Sequence, residues 1–303
     1  MTNRQLASII INNYNYGQFL RHAIDSALAQ DYPNVEIIIV DDGSTDESRD
    51  IIQSYGDRII PVLKENGGQA SAFNAGFATS RGAAIFLLDA DDRFCPEKVS
   101  TVMQLFEAHP SSDWCFHTLK LINKKNETLF ESLGKGAVQD CDFRASIKNR
   151  GKVPIDPPAT SGLCFQRDVL DQILPMPEGK HISIGDHYLK FSAMALSKGL
   201  FLEQNLAQQV VHGNNAYTLK VDNQQMKARI LVMAAYWIKF KFPDLGTFTN
   251  NLLVRGISAY WRSGGIAPDL RDLVDSYLSS LSRMEKFRIN TRAFYRYLMP
   301  KQS

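Results

Sequence analysis

Along the first hundred residues, runs of β-branched apolar residues alternate with stretches whose apolar positions recur at helical spacing. The runs at 7–11, 36–40, 59–63 and 84–88 read as strands, and the stretches at 19–29, 46–55 and 70–79 read as the helices between them. Each helix is long enough for the crossover that parallel strands require, so this half predicts a doubly wound, mostly parallel sheet. In such sheets ligands bind beyond the carboxyl ends of the strands. The positions to inspect are therefore 12–15, 41–44, 64–69 and 89–92.

The pattern is less regular afterwards. A helix is predicted over 97–108, with Pro96 suited to its first turn, and strand-like pieces at 114–122 and 160–166. The stretch 123–158 is rich in Lys, Gly, Asp and Pro and reads as loops and a hairpin over the site. A helix pattern returns at 187–198, a short strand pair follows near 200–202 and 209–212, and the remainder is helical. No internal repeat is visible.

Composition narrows the class. A hydrophobic content of 44% suits a globular protein with a real core. The net charge of +2 hides an asymmetry, because from Asp222 onward 13 Lys and Arg stand against 6 Asp and Glu. Cys95, Cys115, Cys141 and Cys164 are scattered without metal-ligand spacing, so reduced thiols in the cytoplasm are the expectation. Met1 to Gln5 run straight into a strand, which predicts no cleaved export signal. The longest apolar run, 230–238, falls short of the roughly 20 residues a spanning helix needs.

Chemistry concentrates at the strand ends. Residues 85–92 form an apolar strand closing in Leu-Leu-Asp-Ala-Asp-Asp, which packs three carboxylates into four positions. Adjacent like charges raise carboxylate pKa values, and a hard divalent cation relieves that penalty while bridging to phosphate oxygens. Asp89 and Asp91 project to one side of an extended chain. A solvated acidic turn is the plain alternative, and the position after a buried strand speaks against it. Residues 37–44, Ile-Ile-Ile-Val-Asp-Asp-Gly-Ser, end the second strand in acids able to accept hydrogen bonds from a base imide or a ribose hydroxyl. Asp42 is the ligand candidate there, while Ser44 and Glu47 predict a capping box. Asn12 and Tyr14 offer an amide and a stacking ring. Asn66-Gly67-Gly68-Gln69 precedes a helix N-terminus, where backbone N–H groups favour phosphate, although a plain turn reads equally well.

Taken together, the string from Ser8 to Ser48 and the stretch from Asn66 to Asp92, with Asn74-Ala75-Gly76 and Arg81-Gly82 before Asp-Ala-Asp-Asp, resemble the opening of family 2 glycosyltransferases. The resemblance covers about the first 110 residues. It implies the glycosyltransferase-A fold, a Rossmann-like mixed and mostly parallel sheet flanked by helices, here with a C-terminal helical extension. It implies an inverting enzyme that moves a sugar from a nucleotide-sugar, UDP-linked in many relatives, onto a glycan or lipid-linked acceptor in polysaccharide or cell-envelope assembly. Domains are expected at 1–221, with a nucleotide-binding half 1–110 and an acceptor half 111–221, and at 222–303. Carried over by position, Asn12 and Tyr14 border the base, Asp42 holds base or ribose, and Asn74 joins the nucleotide-sugar site. Asp89 lies near ribose and metal, Asp91 ligates Mn²⁺ or Mg²⁺, and Asp92 is left open. Asp186, in Ile-Gly-Asp-His-Tyr-Leu, fits the place of the general base, with Gly185 standing where many relatives carry a second acid; an ordinary helix cap is the plain alternative. His212 resembles the histidine that approaches the diphosphate or metal. Thr160-Ser161-Gly162 resembles the acceptor wall. His117, His181 and His187 have no comparable support.

The basic tail ends in Arg283, Lys286, Arg288, Arg292 and Arg296 interleaved with Phe287, Phe294, Tyr295 and Leu298. That is compatible with peripheral contact to anionic lipid at the inner face of a membrane, and a solvated helix face is the plainer reading. Nucleic acid is a poor partner for a chain whose body is acidic. Two further readings are a nucleotidyltransferase, which would show a Gly-rich basic loop where Asn12 to Asn15 stand, and a silent sugar-nucleotide or glycan-binding subunit.

Overall fold

The structure is a computed structural model that describes residues 4–134, 136–178, 184–212, 224–266 and 268–299. The expected boundary at 221 and His181 lie outside the described residues.

The four predicted strands form as β1 (Ala7–Asn13), β2 (Val35–Asp42), β3 (Ile60–Lys64) and β4 (Ala84–Asp89), each ending later than the apolar runs do. Ladder hydrogen bonds are made by backbone, so the polar residues closing each run stay in register: Asn12 pairs with both Val40 and Asp89. β3 is the sheet's edge, which suits its alternating exposure and tolerates Pro61. The crossovers are α1 (Gly17–Leu28), α2 (Ser48–Ser54) and α3 (Gln69–Thr79). α1 packs Phe19, Leu20, Ala23, Ile24 and Ala27 inward at helical spacing.

One local prediction is overturned. Ser44 and Glu47 form no capping box, because Ser44 Oγ accepts from Asn13 Nδ2 (3.1 Å) and the Asn15 N–H (2.9 Å) instead. Asp46 serves the helix starts, accepting from the N–H groups of Ser48 (3.0 Å) and Gly17 (2.9 Å). A tertiary anchor has displaced the local motif.

The chain continues through β5 (Arg93–Phe94), α4 (Lys98–Ala108), β6 (Trp114–Asn123), β7 (Thr128–Phe130), β8 (Val138–Cys141), β9 (Leu163–Gln166), α5 (Arg167–Ile173), α6 (Gly185–Leu196) and β10 (Gly199–Val211). Among the described residues the sheet has ten strands in the order β3-β2-β1-β4-β9-β6-β10-β5, with β7 beside β6 and β8 beside β10. β3, β2, β1 and β4 are parallel, β9 runs antiparallel to β4 and β6, and β6 is parallel to β10. The expected strand pair near 200–212 is one strand, since a register shift between Leu202 and Ala207 carries the polar Glu203 to Asn205 across the break. The predicted strand at 160–166 begins with a 3₁₀ turn, Thr160–Gly162, that becomes important below. In the stretch expected to hold loops and a hairpin, β7 folds back on β6 as that hairpin.

The chain divides into two compact units, and not by a single cut. The first comprises 1–142, 156–182 and 196–216; the second comprises 143–155, 183–195 and 217–303. The second is helical, built of most of α6 with α7 (Gln224–Lys241), α8 (Gly246–Arg262), α9 (Pro268–Ser279) and α10 (Arg283–Leu298). α7 and α8 approach closely at Gly256, where a Cβ would lie 2.7 Å from Val232 Cγ2. No described helix is long and apolar enough to cross a membrane.

Candidate active site

β1 is the point where the strand order reverses, with β2 on one side and β4 on the other. The crevice beyond such a reversal is where open α/β sheets bind ligands. Asn12 and Asp89 are register partners there. Both polar atoms of the Asn12 side chain are buried with no hydrogen-bond partner among the described residues. An unserved buried amide costs about 1–3 kcal/mol per group, which a ligand's polar atoms would recover.

Just beyond β4, oxygens of Asp89, Asp91 and Asp92 lie within 4.8 Å of one another. The three are not equivalent. Asp92 is fully buried, and its oxygens accept from Ser161 Oγ (2.6 Å) and the Val210 N–H (3.0 Å). Burial, with repulsion from Asp91 and then Asp89, pushes its pKa well above the ordinary value. Asp92 thus ties the turn to the 3₁₀ turn and β10. Asp89 and Asp91 are only part-buried, and His212 Nε2 lies 2.9 Å from Asp91 Oδ2. His212 is itself fixed by stacking on Phe19, ring centroids 4.4 Å apart, and by the edge of Tyr16. Its ring nitrogen is engaged with the acid expected to hold metal. A set of hard oxygens with one imidazole behind it fits Mn²⁺ or Mg²⁺, and crowded carboxylates are stabilised by such an ion.

Of the two groups that hold this cluster, the sequence placed Ser161 only in a segment resembling the acceptor wall and did not single out Lys98. Ser161 Oγ donates to Asp92 and accepts the Asp89 N–H at 3.1 Å, so one hydroxyl grips both ends of the turn. The Ser161 carbonyl in turn accepts from Lys98 Nζ at 2.8 Å. Lys98 is fully buried with its ammonium 3.4 Å from the Phe94 ring centroid, and burial brings its pKa down to about 8. The one sequence hint was a lysine in the first turn of a helix, where the dipole disfavours a cation.

At the second strand end, Asp42 Oδ1 accepts from Lys64 Nζ (2.6 Å) and the Gly67 N–H (2.9 Å), and Oδ2 from the Gly68 N–H (2.8 Å). Asp42 therefore shapes the Asn66 to Gly68 turn from within. Gly43, with φ at 82°, permits that turn's approach, since a Cβ there would lie 2.6 Å from the Asn66 nitrogen. Asp41 beside it is buried; four hydrogen bonds, from Ser44 (twice), Arg49 and Asn13, outweigh burial and lower its pKa. A cavity of about 480 Å³ opens here, lined by Gly43, Ser44, Arg49, Leu63, Lys64, Glu65 and Asn66. Tyr14 is 47% exposed, available for stacking. The amide of Asn74 is spent on the loop after α5: Nδ2 donates to the Met176 carbonyl and Glu178, and Oδ1 accepts the Met176 N–H. Arg81 and Gly82 serve the opposite end of the sheet, where Glu36 accepts both their N–H groups and the Ser8 hydroxyl.

Asp186 belongs to the second unit, in the first turn of α6. Its oxygens lie 2.9 Å from Lys190 Nζ and 2.9 Å from His187 Nδ1. Burial would raise its pKa, but Lys190 and then His187 outweigh it and hold the carboxyl well below the usual range. His117 is buried and kept neutral by that burial and by Lys98.

A family model described as glycosyl transferase family 2 matches residues 8–162. An uncharacterized glycosyltransferase of Nostoc sp. is 38% identical over 214 residues, 69% of this chain and 65% of its own length, so the match spans just under two thirds of that relative. The UDP-Glc:alpha-D-GlcNAc-diphosphoundecaprenol beta-1,3-glucosyltransferase WfaP of Escherichia coli is 40% identical over 105 residues, 34% of this chain and 42% of its own. Among solved structures, S. aureus TarS 1-349 in complex with UDP-GlcNAc superposes with a TM-score of 0.65 at 14% identity, covering 96% of this chain and 89% of that one. The mannosyltransferase PcManGT from Pyrobaculum calidifontis, in complex with GDP-Man and Mn²⁺, gives 0.56 at 16% identity, covering 99% and 89%. At these identities the structural likeness concerns the fold, which is that of the glycosyltransferase-A enzymes.

Proposed function

The chain belongs to glycosyl transferase family 2, and from that premise we propose an inverting, metal-dependent transferase that moves a sugar from a nucleotide-sugar, UDP-linked by preference, to a glycan or lipid-linked acceptor of polysaccharide or cell-envelope assembly. The observation that carries this reading is the unserved Asn12 amide in register with Asp89, beside carboxylates crowded within 4.8 Å. Tyr14 and Asn12 border the base, while Asp42 and its turn shape the nucleotide side of the crevice. Asn74 acts through the loop it pins. Asp89 and Asp91 hold Mn²⁺ or Mg²⁺, which when bound offsets charge on the departing diphosphate. His212 keeps Asp91 in orientation, and Ser161 keeps the turn.

Transfer is a single displacement. The acceptor oxygen forms the new bond to the anomeric carbon on the face opposite the breaking bond to phosphate, and Asp186 takes the acceptor proton. A carboxylate held low by Lys190 is a weak base, so on this reading the pair loosens when acceptor arrives. The UDP preference and the lipid-linked acceptor draw on the UDP-GlcNAc complex of TarS and on the UDP-Glc donor and diphosphoundecaprenol-linked acceptor that WfaP is named for.

The test is a panel of UDP- and GDP-sugars with Mn²⁺ or Mg²⁺, with and without lipid or glycan acceptors, read as nucleotide diphosphate release. Metal-dependent release stimulated by one acceptor class is expected. Asp186→Asn should lose about 10²–10³-fold in turnover at unchanged donor affinity. Full turnover in that variant removes Asp186 from the mechanism; release that ignores chelation removes the metal.

A further inference from the structure

α10 is fastened by a narrow inner face. Ile289 and Ala293, one turn apart, are its buried residues. Ser282 and Glu285 close a reciprocal capping box at its start, and at its end Arg262 donates to the carbonyls of Arg296, Tyr297 and Met299. Arg292 donates to Asn251 at 2.5 Å. The helix is thus held firmly from one side.

The opposite side is apolar. Met284, Phe287, Phe294, Tyr295 and Leu298 are exposed at 64, 71, 55, 62 and 63%, and their spacing of three, four and seven places them in one stripe. This inverts the common pattern in which a helix's apolar stripe meets the core. On a helical projection Arg283 and Arg288 fall at the two borders of the stripe. The helix carries five Lys and Arg against one Glu, whereas the preceding helix α9 carries three Asp against one Arg, so the positive charge belongs to the element with the bare stripe.

We infer that the outward face of α10 docks on an anionic lipid surface, lying in the interface. Phenylalanine, leucine and methionine enter the acyl boundary, the tyrosine hydroxyl stays at headgroup depth, and the border arginines reach back to lipid phosphates. Charge argues against a second copy of the chain as the occupant, because pairing two such helices would set arginine borders against one another in a place that excludes water. A 16-residue helix of about 24 Å suits a surface position, not a crossing one. The inference stands apart from the catalytic reading, since it concerns a different surface and needs no turnover to test.

The test is co-sedimentation of the full chain with vesicles of phosphatidylcholine alone and of phosphatidylcholine mixed with phosphatidylglycerol. Binding to the mixed vesicles, weakened by added salt, is expected. Phe287→Ser with Leu298→Ser should weaken it by on the order of tenfold or more, and Arg283→Gln with Arg288→Gln by about fivefold per arginine. Circular dichroism melting and nucleotide-sugar binding should be unchanged in all four substitutions. Absence of binding to both vesicle types overturns the proposal. So does binding that the serine variants retain. A concentration-dependent dimer in sedimentation equilibrium, lost in the serine variants, overturns it in favour of a second copy.

Discussion

The carboxylates of the first unit and the carboxylate of the second are built in opposite ways. Beyond β4, three acids are crowded within 4.8 Å, and one of them, Asp92, is buried with its pKa pushed up by its neighbours. At the start of α6 a single acid is matched to a buried lysine and a histidine, and its pKa is pushed down. The first arrangement gains stability when a cation arrives; the second already holds one. The difference separates two jobs that residue type alone leaves identical: recruiting an ion and its phosphate ligand, or keeping one charge in reserve for a proton.

The largest effect expected from breaking this contrast is at Asp91. Asp91→Asn removes half the exposed ligand charge and leaves His212 facing a neutral amide. Turnover should fall by about 10³-fold or more, with Mn²⁺ binding by electron paramagnetic resonance weakened in parallel. Retained Mn²⁺ affinity would place the ion elsewhere.

In the second unit the matching test is Lys190→Met. Removing one partner of a buried ion pair leaves an uncompensated charge, which costs about 3–5 kcal/mol. The pH sign follows from the lowered pKa of Asp186. Its contribution is full above the ordinary carboxylate value of 3.8 and is lost as pH falls from there through the depressed one. Wild type should therefore lose stability on an acid limb below about pH 4 that the methionine variant shows much less of, measured by urea unfolding across pH. Identical limbs would mean that the pair does not lower the acid's pKa.

How much of this was legible beforehand depended on range. β1, β2 and β4 were readable because each is a buried apolar run, and the edge strand β3 and the intervening helices because their apolar positions alternate or recur, signals that live within a dozen residues. Asp89 and Asp91 were readable because strand ends in a doubly wound sheet are where ligands gather. The long strand β10 was not, since Glu203 to Asn205 break the apolar pattern while a bulge keeps the pairing. Ser44 and Glu47 had the spacing of a capping box, and contacts from Asn13 and Asn15, some thirty residues away, took the serine for another use. The assignment of α6 to the second unit was hidden for the same reason, since sequence neighbours of α6 on both sides belong to the first. Ser161 was marked only as part of a segment resembling the acceptor wall, and nothing local tied it to the carboxylates. Its importance comes from the pairing of β4 with β9, which lays the Thr160–Gly162 turn beside Asp89, 72 residues away in sequence from Ser161.

Ser161 gives a finer test on the first side of the comparison. Ser161→Ala deletes a bond to Asp92 and one from the Asp89 N–H without touching any proposed ligand oxygen. Outer-shell partners of this kind are worth about 10–100-fold in metal affinity. Calorimetric Mn²⁺ titration should show that loss, and Ser161→Thr, which keeps the hydroxyl, should restore most of it. Equal affinities in the alanine and wild-type chains would leave Ser161 a fold residue only.

Lys98 offers the smallest and most specific effect, because it is the buried cation that the crowded acids do possess, one step removed. It reaches them through the Ser161 carbonyl, and burial has brought its pKa to about 8 from 10.5. Between those values the unfolded chain keeps the lysine proton while the folded chain releases it, so folded stability gains as pH rises; below about 8 both states are protonated and the gain is absent. Lys98→Met has no such titration. The stability difference between wild type and variant should therefore shift toward wild type from pH 8 to 10, by roughly 1–2 kcal/mol once local relaxation is allowed for. Urea unfolding of both chains at the two pH values measures it. A difference that stays flat across that interval would show that Lys98 keeps its proton in the fold, and so counts among the charges that balance Asp92 throughout.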